Sequence, residues 1–169
     1  MGTKTIVSRT GLRSGPLGIY LNDHLAGATG GVWLARRTAA SHRRGPMGDE
    51  LRRLADEIGS DRDALLEIMA HLDVPVRRYK IYMGRLAELA GRLKLNGRIA
   101  RSSPLSGFTE LEMLRLGVEG KGAAWAVLRR LADRDDRLDR ARLDRLISRA
   151  RRQSEVLEDF RVRVAMRVF

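Results

Sequence analysis

Apolar positions recur at helical spacing along almost the whole chain, and five helices account for them. Leu17, Leu21, Ala28, Val32 and Ala35 predict a first helix that opens on Pro16, where a missing N–H costs little, and runs to about Ser41. Gly27, Gly30 and Gly31 weaken it by roughly 1 kcal/mol each relative to Ala, so a close partner or a kink is expected there. After the turn Arg43-Arg44-Gly45-Pro46, a second helix carries Met47, Leu51, Leu54, Ile58, Leu65, Ile68 and Leu72 and stops before Pro75. A shorter third helix, Val76 to Leu95, carries Tyr79, Tyr82, Leu86, Leu89 and Leu93 and ends at Asn96-Gly97. The Ser102-Ser103-Pro104 cluster starts a fourth, with Phe108, Leu111, Leu114, Val118, Trp125 and Leu128. An acidic turn, Asp133 through Asp136, leads to a fifth carrying Leu143, Leu146, Ala150, Leu157, Phe160 and Val164. No strand-like alternation competes, so the fold class is all-α.

Residues 1–15 are short, polar and punctuated by glycine, which predicts a flexible N-terminal tail. Residues 16–169 then form a single helical-bundle domain of a size that buries a real core. Two long hairpins are joined by a helical connector, residues 73–104. That connector can cross a bundle about 39 Å long, the length of a 26-residue helix at 1.5 Å per residue. A crossover lets the second and fourth helices run parallel; an up-down-up-down array with a peripheral fifth helix is the competing topology.

Under the crossover, four polar residues on or beside the apolar stripes come to one height. The first turn sets His24 level with Asp63, one turn's reach from Asp61. The second sets Glu119 opposite Gln153, and parallel helices set Asp61 level with Glu119. Buried polar groups are costly unless partnered, so such a layer needs either a mutual network or a ligand. A network would fix helix register. A ligand would be a single divalent ion, Fe, Mn or Zn, held by His24, Asp61 or Asp63, and Glu119, since imidazole plus carboxylates suits these metals.

The helix order, the connector and the segments Tyr20-Leu-Asn-Asp-His-Leu-Ala-Gly-Ala28 and Glu110-Leu-Glu-Met-Leu-Arg-Leu-Gly-Val-Glu-Gly-Lys121 resemble uncharacterised bacterial proteins of the ferritin-like class. The resemblance covers residues 16–169 and implies a four-helix bundle. In the metal enzymes of that class it also implies a Glu from each of two helices and Glu-x-x-His from the other two. This chain departs from the pattern. It has no Glu-x-x-His; Glu67-Ile-Met-Ala-His71 is one residue too long, and no acid occurs between Asp23 and Asp49. Only Glu119, and Glu112 seven residues earlier, match the carboxylate expected on the third bundle helix. The di-iron ligand set is therefore incomplete.

Composition narrows the remaining chemistry. There is no Cys, which excludes disulfides and thiolate catalysis. No Gly-x-Ser-x-Gly elbow or phosphate-binding glycine loop occurs. No apolar run reaches the length of a membrane span and no signal peptide is evident, so a cytoplasmic protein is expected. The formal net charge is +12, almost all of it from Arg. Arg77, Arg78, Lys80, Arg85, Arg92, Lys94, Arg98 and Arg101 face a single acid, Glu88, in the connector. That face is either solvated or suited to an acidic protein, nucleic acid or an anionic membrane surface; a homodimer is a further assembly open to the fold. The resulting expectation is a non-catalytic binding or scaffold protein with a degenerate metal site. The alternatives are a mononuclear or dinuclear metal-binding enzyme and a basic nucleic-acid-associated protein.

Overall fold

The computed structural model describes residues 15–45, 47–77 and 104–169, and within them it is all-helical, with four helices and no strand. They are α1 (Pro16–Ser41), α2 (Gly48–His71), α3 (Pro104–Leu131) and α4 (Arg140–Val168). The third helix expected from sequence falls, from residue 78 onward, outside the described residues, as do Arg78, Arg85, Arg92, Arg98 and Arg101. Residues 74–77 are not helical, so the expected start at Val76 is corrected; Arg77 lies exposed in that stretch.

Each helix buries one stripe. On α2 the buried side chains Leu51, Leu54, Ile58, Asp61, Leu65 and Ile68 alternate spacings of three and four; on α4, Leu143, Leu146, Ala150, Gln153, Leu157, Phe160 and Val164 do the same. This is the narrow seam of helices packed almost in parallel. Trp125, Leu21, Leu25, Leu111, Leu128, Leu143 and Leu157 are among the largest side chains almost wholly removed from water. The close approach expected at the glycines of α1 is not seen at Gly27 or Gly31. A Cβ added at Gly27 or Gly31 would meet nothing within 4 Å, and α1 runs as one unbroken helix.

The ends explain where the helices stop. Gly48 must be glycine, because a Cβ there would come 2.8 Å from the His42 carbonyl oxygen as the first turn closes. The second helix ends several residues before Pro75, at His71. Asp73 adopts a left-handed φ of 55°, its N–H donates to the Ala70 carbonyl and the Val74 N–H to the Met69 carbonyl at 2.8 Å. That pair of bonds is a Schellman cap, which a short polar side chain tolerates where glycine is usual. The chain is then held against α1 by buried Asn22, whose Nδ2 donates to the Gly18 and Pro75 carbonyls and whose Oδ1 accepts from the Arg77 N–H at 2.7 Å. Asp139 caps α4 by accepting from the Arg142 N–H at 3.0 Å. The Arg137 guanidinium beside Asp135 holds that carboxyl below its usual range, and Arg137 also reaches the Leu72 carbonyl at the end of α2.

Cross-helix bonds fix the directions. Glu57, Asp61 and Glu67 of α2 pair with Arg152, Arg149 and Arg142 of α4, so those helices are antiparallel. Glu112, Arg115 and Arg129 of α3 pair with Arg161, Glu158 and Asp144, so α3 is antiparallel to α4 as well. Helices α2 and α3 therefore point the same way. Consistently, Arg37 near the end of α1 pairs with Glu110 near the start of α3 at 3.0 Å. Helix α1 packs on α2 and α3, and α3 on α4. The residues that follow α2 and those that open α3 thus lie at opposite ends of the bundle.

Candidate functional site

Halfway along the bundle the buried stripes of three helices each carry one polar residue: Asp61 on α2, Lys121 on α3 and Gln153 on α4. Asp61 and Gln153 are each 1% exposed. The Lys121 ammonium donates to Asp61 Oδ2 at 2.5 Å and to Gln153 Oε1 at 2.6 Å. The Gln153 amide donates to Asp61 Oδ2 at 3.2 Å and to Glu57 Oε2 at 2.9 Å. Arg149, from α4, donates to the other Asp61 oxygen, and Arg152 reaches Glu57 at 2.9 Å. Both carboxylates are thus answered by cations, and the Asp61 oxygens accept three donors between them.

Burial pushes the Lys121 ammonium below its ordinary pKa, with the nearby Arg149 adding to the shift; the attraction and hydrogen bond of Asp61, together with Glu57, oppose it. Removing a charge from water is the larger effect here. The network therefore stabilises by geometry, each partner satisfying the next, more than by net electrostatic gain. Among the described residues the Nε of Arg149 and the indole N–H of Trp125 are buried with no hydrogen-bond partner.

The other members of the expected layer lie elsewhere. Glu119 is at the right height, but its side chain is 45% exposed and pairs with Arg115 at 2.9 Å on the outside of α3, accepting also from Ser154. Its position is one residue off the buried stripe, which turns it toward water. His24 is half-buried beside α1's seam, its ring edge-on to Tyr20 at 4.4 Å between centroids, with no bond to Asp61. Asp63 is exposed and paired with Arg62 at 3.1 Å. Among the described residues no three His, Asp or Glu side chains come together as a metal-ligand group. Lys121 and Arg149, which sequence reasoning passed over, complete the network in their place. Lys121 carried a readable signal: it falls three residues after Val118 and four before Trp125, on the apolar stripe itself.

As to chemistry, Asp61 offers no unshared oxygen to a substrate or ion: Lys121, Arg149 and the Gln153 amide already occupy both. A metal does not fit this donor set. His24 makes a separate prediction, because burial lowers its pKa from 6.5 against the weaker pull of Asp23. Between 6.5 and the lowered native value the unfolded chain binds the proton more tightly, so stability falls as pH drops through that window. Urea midpoints at about pH 7.5 and about pH 5 should drop further for the wild type than for His24→Gln; parallel losses would remove this role.

No family model, curated protein or solved structure matches the chain. No helix among the described residues is long and apolar enough to cross a membrane.

Proposed function

We propose that the chain is a non-catalytic binding or scaffold protein, built on a ferritin-like four-helix frame whose mid-bundle site is closed by its own cations. The observation that carries this reading is the Lys121 ammonium, 2.5 Å from Asp61 and 2.6 Å from Gln153, where a bundle enzyme would need its cation. The parallel course of α2 and α3 supports the frame, since two hairpins joined by one crossover have that order. The carboxylates of the layer are taken up by its own cations and amide, which leaves none free for a ligand there, so the protein acts through its surface.

The bundle itself is nearly balanced in charge. The described residues hold 23 basic and 20 acidic side chains, a net of +3, while residues 1–14 and 78–103 hold ten basic and one acidic. Such a distribution favours an anionic partner over a neutral one.

Metal content tests the reading. Protein purified without a histidine tag and exposed to Fe(II), Mn(II) or Zn(II), then passed through a desalting column, should retain far less than one ion per chain. One ion per chain, lost in Asp61→Ala or His24→Ala, would overturn the proposal in favour of a metal-dependent protein.

A further inference from the structure

The two tryptophans of the chain have opposite surroundings. Trp125 is sealed in the core, whereas Trp33 is 56% exposed on the outer face of α1, a poor place for the largest apolar side chain unless something covers it. Around it the same helix face turns basic toward the first turn. The Arg37 guanidinium lies 5.4 Å from the Trp33 ring centroid, and Arg36, Arg43 and Arg44 follow, all exposed. Arg37 is answered by Glu110, but Arg36, Arg43 and Arg44 have no ion pair among the described residues. By contrast the cleft of about 330 Å³ at the opposite end of the bundle has its arginines, Arg137 and Arg142, matched by Asp135 and Glu67.

From this juxtaposition we infer that Trp33, Arg36, Arg43 and Arg44 form a docking surface for single-stranded nucleic acid. The inference rests on the binding-protein reading above and names its partner. An exposed indole flanked by guanidinium groups offers a base a face to stack on, and uncommitted arginines one to three turns along offer contacts to consecutive phosphates. Duplex DNA hides its base faces and would leave Trp33 uncovered. A membrane surface would need a broad apolar face, yet the exposed positions beside Trp33 on this stretch of α1 are Arg36, Arg37 and Ala40.

The test is fluorescence anisotropy of a labelled thymidine oligonucleotide with the full chain across a salt series. Trp33→Ala should weaken binding about tenfold or more with the salt dependence unchanged, because stacking carries no counterions. Arg36→Gln with Arg43→Gln and Arg44→Gln should lower the slope of log affinity against log salt by about 2, three phosphates at roughly 0.7 each. All four side chains are exposed, so unchanged circular dichroism and melting will certify the fold. If both variants bind as the wild type does while Arg78→Gln, Arg85→Gln and Arg92→Gln together abolish binding, this surface is refuted and the binding-protein reading survives. Binding to phosphatidylglycerol vesicles with none to the oligonucleotide at low salt overturns it in favour of lipid, and binding to neither overturns it outright. Failure of the underlying reading shows separately, as bound metal.

Discussion

Asp61→Ala is expected to destabilise the bundle by about 3–5 kcal/mol, because it leaves the largely buried Lys121 and the partly buried Arg149 without their shared carboxylate. Lys121 has a side chain only 14% exposed, and its ammonium would keep Gln153 alone. Arg149 would lose the one acceptor its guanidinium finds, while its Nε already lacks one. For a chain of this size each kcal/mol shifts the melting temperature by about 2–4 °C, so a drop of roughly 10 °C or more should be seen by circular dichroism. Asp61→Asn keeps the shape but not the charge and should fall in between. A loss below about 1 kcal/mol for the alanine variant would mean that water reaches the layer and that the charges are not sealed.

Replacing the whole layer should do far less harm than breaking it. Asp61→Leu, Lys121→Met, Arg149→Met and Gln153→Leu together exchange hydrogen-bonded groups for apolar ones of similar volume, which elsewhere is neutral or stabilising by about 1–4 kcal/mol. Glu57 would lose Gln153 but keep Arg152 and its access to water. We therefore expect the fourfold variant to melt near or above the wild type, recovering everything lost in Asp61→Ala. What it should lose is uniqueness of alignment, visible as a less cooperative melt and poorer dispersion of amide resonances. A fourfold variant as unstable as Asp61→Ala would show instead that the layer is a net source of stability.

The stripes made most of the fold legible. Helix ends at Pro16, Ser41 and the turn before α4 follow from proline, glycine and acidic punctuation, and the expected parallel order of α2 and α3 is the one that the ion pairs describe. The height of the polar layer was also readable, since Asp61 meets α3 only two residues beyond the expected Glu119. Its membership was half readable. Asp61 and Gln153 sit on strict three-four stripes, and so does Lys121, whereas Glu119 is one place off and His24 adjoins buried Leu25. A shift of one residue turns a helical side chain by about 100°, enough to move it from the seam to solvent. Reading acids and histidines as the candidate ligands left out the lysine that closes the network. Asn22 escaped for another reason: its partners at Pro75 and Arg77 are more than 50 positions away, and no local pattern announces them.

The midway position of Lys121 has a consequence for how the hairpins find each other. A slide of α3 along α2 by one turn would bring Trp125 or Gly117 to the place where Lys121 meets Asp61, leaving an ammonium and a carboxylate each facing hydrocarbon. The alignment is keyed from the middle, like the notch of a vernier, and not from the turns. A turn at residues 133–137 lengthened or shortened by a residue is therefore expected to leave α3 and α4 aligned, since both carry members of the layer.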